Sequence, residues 1–371
     1  MSFEREPGVD ERCVRTHMTL AELGWTDRER ALFEPYRAEG LQPARVAVAY
    51  GATFRVYLEG DETLADVPGR MRHEAQSRRD LPAVGDWVAV RWPAREERAT
   101  IQHILPRTSL FSRKVAGQET VEQILAANVD VAFLVAGLDR DFSIRRLERY
   151  LSMTWESGAK PVIILNKADL ADDIEVCLAE VRGIAGSVPV HVISSKLGSG
   201  LVDLSPYLGL GRTVALLGSS GVGKSTLINR LLGRERQATR DVREKDSRGR
   251  HTTTHRELVP LPGGALLIDT PGMRELQLWS ADEGVQETFD DVAALAVDCY
   301  FRDCRHDSEP RCAVKAAVDD GRLAPDRLES YRKIQDELRH LATRQDALAQ
   351  QTEKKQNRMI HRAMRKMPPK R

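Results

Sequence analysis

Cysteine is scarce in this sequence, five in 371 residues. That excludes a disulfide scaffold and points to a reducing compartment, the cytoplasm. Long apolar runs are missing as well. No stretch reaches the roughly 18 apolar residues a helix needs to cross a bilayer, so no membrane partner is expected. The first residues, MSFEREPGVDERCVRT, carry charges but no apolar centre and do not read as a secretory leader. Aromatic residues make up only 5% of the chain. No internal repeat and no low-complexity linker occurs. What remains, 41% apolar and 30% charged residues, is the profile of a soluble globular chain, long enough for roughly two or three domains.

Charge is unevenly placed. The net charge is +1, yet Gln351–Arg371 holds eight Lys or Arg against one acid, Glu353. A body near −6 therefore carries a tail near +7, which suggests a polyanionic partner. A solvated terminus would look the same.

Periodicity divides the chain into four parts. Residues 1–40 include a helical spacing of Leu20, Leu23, Leu32, Phe33 and Tyr36, read as a helical hairpin. Residues 41–115 show short alternating runs, ARVAVAYGATFRVYLEG and VGDWVAVRW, which predict an antiparallel β-barrel. An OB-fold is the leading expectation, and an SH3-like barrel shares the same alternation. From residue 118 to 282 the strands become solidly apolar (VDVAFLVAGL, PVIILNKADL, RTVALLGSS, ALLIDTPG) and alternate with amphipathic helices. This is the pattern of a parallel α/β sheet covered on both faces. Residues 283–371 turn helical, pass a Cys/His cluster and end in a long polar helix from about Pro325.

Between an apolar strand and a helix lies Gly218-Ser219-Ser220-Gly221-Val222-Gly223-Lys224-Ser225. Glycines let backbone N–H groups wrap a phosphate, and the helix N-terminus adds positive dipole. Lys224 is expected to reach the outer phosphates and Ser225 to ligate Mg²⁺. Base choice belongs to Asn166-Lys167-Ala168-Asp169. The Asp169 carboxylate accepts the N1 and 2-amino hydrogens of guanine, while adenine offers no donors there. Asn166 is expected on the base edge and neighbouring loops, with the Lys167 stem over the ring. Within Ser194-Ser195-Lys196, the Ser195 N–H is expected to face guanine O6. Asp269-Thr270-Pro271-Gly272 follows another strand. There Asp269 is to hold the metal shell through water and the Gly272 N–H to sense the γ-phosphate. Arg250–His255 reads as the first switch, with Thr253 favoured as the second Mg²⁺ ligand.

A Ras-like chain runs phosphate loop, switch Thr, DxxG, NKxD, SAK. This one runs NKAD, SSK, phosphate loop, TTT, DTPG, the order of a circular permutation. Met273 stands where Ras-like enzymes place the water-orienting Gln, and a thioether cannot orient water. Intrinsic hydrolysis is therefore expected to be slow, with His251 the nearest substitute or else a loop histidine in solvent. Cys299, Cys304, His306 and Cys312 fall within 14 residues and match a closed tetrahedral zinc site. Cys13 and Cys177 stand apart without a role.

Together, PAVGDWVAV in the barrel, the bridge LPRTSLFSRK, the permuted motif order and Cys-x4-Cys-x-His-x5-Cys resemble the ribosome small-subunit-dependent GTPase family (RsgA, or YjeQ) over roughly residues 40–320. The resemblance implies a circularly permuted P-loop GTPase domain behind an OB barrel and before a zinc-binding helical region. It implies a monomeric late-stage assembly or quality-control factor on the small ribosomal subunit and its rRNA, whose hydrolysis of GTP that subunit stimulates. Carried over, GTP/GDP is held by Asn166–Asp169 and Gly218–Thr226, and one zinc by Cys299, Cys304, His306 and Cys312. Few aromatics mark the barrel beyond Phe54, Tyr57 and Trp87, so shape and phosphate contacts to RNA are expected before base stacking. Two rival readings exist. One is a nucleotide-gated signalling switch whose barrel binds a protein, and the other a P-loop kinase or ATPase that merely contains NKAD.

Overall fold

Alternating residues after Gly40 fold into five strands: β1 (Gln42–Tyr50), β2 (Thr53–Leu58), β3 (Asp61–Asp66), β4 (Trp87–Arg91) and β5 (Arg98–Ile104). The structure, a computed structural model, describes residues 17–93, 96–115, 121–233, 256–269, 282–339 and 343. β1 pairs with β2, β2 with β3, β3 in parallel with β5, β5 with β4, and β4 with β1 again. A closed five-stranded order with that single parallel pair is an OB-fold, which decides against the SH3-like alternative. Ala44 and Val46, Val56 and Leu58, Val88 and Val90, and Ala99 and Ile101 fill the interior, alternate residues of each strand as the pleat requires.

Ahead of the barrel, the expected hairpin is one helix. α1 (Asp27–Arg37) begins at Thr26, which forms a capping box with Glu29. Residues 20–24 are a turn instead of a partner helix. Gly24 adopts φ +86°, and a Cβ there would meet the Gly211 carbonyl oxygen at 2.5 Å. The chain must reverse at that point, so the apolar spacing of Leu20 and Leu23 serves a turn packed on the barrel.

Past the barrel, β6 (Leu110–Val115) and β7 (Val121–Ala127) make a separate antiparallel pair. The central sheet then follows: β8 (Val131–Gly137), β9 (Lys160–Asn166), β10 (Val190–Val192), β11 (Thr213–Leu217), β12 (Glu257–Pro260) and β13 (Leu266–Asp269). Its order is β10-β9-β8-β11-β13-β12, parallel except for β12. After a short α2 (Gly69–Glu74) within the barrel segment, the helices are α3 (Ile144–Ser157), α4 (Ile174–Ala185) and α5 (Lys224–Leu232). Phe133, Val135 and Ile164 meet Leu227 of α5 on one face, whereas Leu134, Leu165 and Ala215 meet Leu147 and Leu151 of α3 on the other. Burial on both faces explains the unbroken apolar runs. Entry at β8, with the phosphate-loop strand β11 reached only after β10, is the permutation in three dimensions.

The helices α6 (Asp282–Thr288), α7 (Asp290–Ala296), α8 (Ala313–Asp319) and a last one, α9, over 325–339 lie on the α3 face. Gly284 approaches α3 so closely that a Cβ would come within 2.1 Å of the Ser152 carbonyl oxygen. Barrel and sheet are joined too, by the β1–β12 pairing at Val48 and Glu257 and by Arg45. That guanidinium is 2% exposed. It donates to the carbonyls of Leu23, Gly85 and Asn128 and to Thr213 Oγ1, and burial pulls its pKa down to about 10. Among the described residues no helix is long and apolar enough to cross a membrane.

Candidate functional site

All five parallel strands of the sheet end at one edge, the place where open α/β sheets bind ligands. Gly218 leaves β11 so close to β8 that a Cβ would meet the Val135 carbonyl oxygen at 2.3 Å. Gly223 adopts φ +95°, and a Cβ there would strike Asn166 Nδ2 at 2.3 Å. Both glycines are therefore required by neighbours as well as by the loop's own turn. Lys224 opens α5 and its ammonium donates to the carbonyls of Gly218 and Ser219 at 2.7 and 2.5 Å. Ser225 and Thr226 follow in the first turn of α5, with backbone N–H groups unpaired within the helix, where an anion is favoured.

The base-side loops meet at Asn166, which is 1% exposed. Its Nδ2 donates to the Val222 carbonyl at 2.8 Å, and its Oδ1 accepts the Ser195 N–H at 2.9 Å. The side chain thus binds the NKAD, phosphate and SSK loops into one unit. Here the structure departs from the sequence reading, because the N–H expected to face guanine O6 is engaged by Asn166. A buried amide must satisfy its own acceptor, and Ser195 is the donor in reach. Lys167 sits in the left-handed region at φ 65°, and its ammonium pairs with Asp139. Ala168 donates its N–H to the Ile193 carbonyl, and Asp169 accepts the Ser194 hydroxyl. Lys196 offers its carbonyl to Arg230 Nη2 at 2.6 Å. Asp269 ends β13, the strand beside β11. His251, Thr253, Gly272, Met273 and the basic tail lie outside the described residues.

Several residues of this edge were not singled out from the sequence. Asp139 orients Lys167. Asp141 and Arg146 grip Ser219 of the phosphate loop. Arg230 donates to the Ser195 and Lys196 carbonyls from the last turn of α5. The one available hint was Asp139-Arg140-Asp141 directly after an apolar strand.

Cys299, Cys304, His306 and Cys312 converge as their spacing implied, every candidate ligand atom within 4.8 Å of the others. Cys299 Sγ stands 3.8 Å from Cys312 Sγ and 3.6 Å from His306 Nδ1, and His306 Nδ1 3.4 Å from Cys312 Sγ. A tetrahedron with zinc–sulfur bonds of about 2.3 Å has edges of about 3.8 Å, so the donor set fits zinc in both chemistry and size. Burial lowers the His306 pKa, which favours the neutral imidazole a metal requires.

A family model described as RsgA GTPase matches residues 104–279, and one described as 50S ribosome-binding GTPase matches residues 213–356. A protein of Opitutus terrae named small ribosomal subunit biogenesis GTPase RsgA is 50% identical, over 94% of this chain and 97% of its own. Its namesake in Syntrophotalea carbinolica is 44% identical over 93% and 96%. Among solved structures, YjeQ from Thermotoga maritima aligns with a TM-score of 0.61 at 26% identity, covering 80% of this chain and 98% of that one. YloQ, titled a circularly permuted GTPase, aligns with a TM-score of 0.58 at 26% identity, covering 81% and 96%. At such identity across nearly whole chains, and with the permuted sheet, the OB barrel and the Cys₃His cluster in place, this chain belongs to the RsgA GTPase family.

Proposed function

We propose that this protein hydrolyses GTP as a cytoplasmic, monomeric assembly factor of the small ribosomal subunit, in contact with its rRNA. The observation that carries the nucleotide half is the junction at Asn166, which holds three motif loops at one sheet edge. The subunit half is supported by the names of relatives matching nearly the whole chain. The 50S description belongs to a match over 213–356 alone, so it weighs less.

In this reading the loop Gly218–Gly223 and the first turn of α5 present backbone N–H groups to the phosphates, and Lys224 brings a fixed positive charge to the outer two. Ser225 and Thr253 would hold Mg²⁺, and Asp269 would support its shell. The ion, when bound, neutralises charge that develops between the β- and γ-phosphates. Gly272 senses the γ-phosphate through its N–H. Asp169, oriented by the Ser194 hydroxyl, selects guanine. Asn166, Lys167, Ala168, Ser195 and Lys196 shape the base pocket, Asn166 chiefly by bracing it.

Asp169→Asn tests the base assignment, because it turns one acceptor towards the 2-amino group into a donor. GTP affinity is expected to fall on the order of 100-fold, the loss of a charged hydrogen-bond pair, while XTP affinity rises. A variant that keeps full GTP affinity and gains none for XTP contradicts the assignment. For the metal, elemental analysis of protein purified without chelator should find about one zinc per chain. Cys304→Ala should release it and speed hydrogen exchange across residues 295–325 while leaving GTP affinity intact. Freshly purified protein without zinc would remove the claim.

A further inference from the structure

The loop Asp139-Arg140-Asp141 leaves β8 beside the site read above as binding a polyphosphate, an unfavourable place for two carboxylates. Each is answered by one cation. Asp139 pairs with Lys167 of the NKAD loop. Asp141 Oδ2 pairs with Arg146 Nη1 at 2.7 Å, Asp141 Oδ1 with Nη2 at 3.2 Å, and Nη1 also reaches the Asp141 carbonyl at 3.3 Å. Arg146 lies in the first turn of α3, and the same Nη1 donates to Ser219 Oγ at 2.9 Å. The Ser219 hydroxyl in turn donates to Asp141 Oδ2 at 3.2 Å. Ser219 is the second residue of the phosphate loop. The side of that loop is therefore clasped by an ion pair reaching it from β8 and α3.

We propose that Arg146 is a positioning residue for nucleotide binding: it fixes the phosphate loop through Ser219 and cancels the Asp141 charge that would otherwise repel the phosphates. The inference rests on the reading of this edge as the GTP site. Its two parts are chemically separable. The hydrogen bond to Ser219 restrains the loop in the conformation Gly218 and Gly223 allow. The bidentate pairing with Asp141 has a geometry a guanidinium meets and an ammonium does not. That pairing also holds the Asp141 carboxyl below its ordinary range, so the acid stays ionised and its cation is needed throughout the neutral range. Ser219 alone gives the clasp no charge, and Arg146 does not need to touch the nucleotide. The two acids of the loop thus serve two cations, one directed to the base loop and one to the phosphate loop.

The experiment measures binding of Mg·GTP and Mg·GDP to the full-length chain by competition with a fluorescent GDP analogue, together with thermal midpoints. Unit charges several ångströms apart near a protein surface shift an equilibrium on the order of tenfold. Arg146→Ala is expected to weaken GTP by about that factor and GDP by less, because GTP carries the extra negative charge. Arg146→Ala combined with Asp141→Asn should bring GTP affinity back to within about threefold of the unaltered chain, a rescue that a purely packing role cannot produce. Ser219→Ala should weaken GTP and GDP alike by the few-fold worth of one hydrogen bond. If Arg146→Ala does not fold, Arg146→Gln with and without Asp141→Asn carries the same comparison, because Gln removes the charge and keeps a hydrogen-bonding side chain. Unchanged GTP affinity in the single variants, or no recovery in the double variant, overturns the proposal. An unaltered chain that binds no GTP overturns the nucleotide reading itself, and the two failures are distinct.

Discussion

Arg327→Ala is expected to release the C-terminal helices from α3, at a cost of about 3–5 kcal/mol, the penalty for leaving a buried charge without its partner. Glu148 of α3 is 1% exposed and Arg327 of α9 is 8% exposed. Arg327 Nη1 donates to Glu148 Oε1 at 2.7 Å, its Nε and Nη2 bond both Asp291 oxygens at 3.0 Å, and Nη2 reaches the Thr288 carbonyl at 2.6 Å. Its guanidinium also lies 4.3 Å over the Phe289 ring. Burial alone would lower the Arg327 pKa, but the bonds from Asp291 and Glu148 raise it, so the cation is firmly kept. Without it the Glu148 carboxylate, whose Oε2 already has no partner among the described residues, is stranded in the core. Amide hydrogens of α9 should then exchange faster by roughly 10²–10³. Replacing both charges, Arg327→Met with Glu148→Leu, should restore most of the protection, since paired apolar replacements of buried ion pairs are often neutral. Unchanged exchange in Arg327→Ala would show that the apolar contacts of Val285, Phe289 and Leu328 hold the region unaided.

How much of this was legible in the sequence depends on the range of the interaction. The phosphate loop, NKAD and SSK are local patterns of a few consecutive residues, and the Cys₃His cluster is a spacing within 14, so each could be read without knowing the fold. The doubly covered sheet was legible for the same reason, through apolar runs such as VAFLVAG. Strand pairing was not: alternation places residues in or out of the barrel but is silent about which strands meet, so OB and SH3-like closure could not be told apart. β7 was hidden because Val121, Ile124 and Leu125 have helical spacing, which its hairpin partner β6 overrides. In the N-terminal segment a turn over residues 20–24, with Gly24 at positive φ, stands where periodicity alone predicts a helix. Least legible were the long arginines. Arg45 meets Thr213 across 168 residues and Arg327 meets Glu148 across 179, distances no pattern encodes. The Ser195 N–H shows a subtler limit. The sequence points to the SSK loop, but only the packed structure shows that Asn166 has engaged the Ser195 donor.

Catalysis is where this chain departs from a self-sufficient GTPase, since Met273 replaces the water-orienting Gln and cannot hold a water for attack. On the proposed reading the missing group comes from elsewhere in the chain, where His251 is the nearest candidate in sequence, or from the partner. Partner-completed GTPase sites gain on the order of 10³–10⁵ in rate, and that is the stimulation expected here. His251→Ala should lower the stimulated rate far more than it lowers GTP affinity, and equal stimulated rates would return His251 to an ordinary loop residue. The most direct measurement is GTP turnover by the purified, full-length protein alone, with small ribosomal subunits, and with large subunits. Slow turnover alone, strong acceleration by small subunits and little by large ones is the predicted result. Turnover that is the same in all three, or that large subunits stimulate as well, would contradict the account.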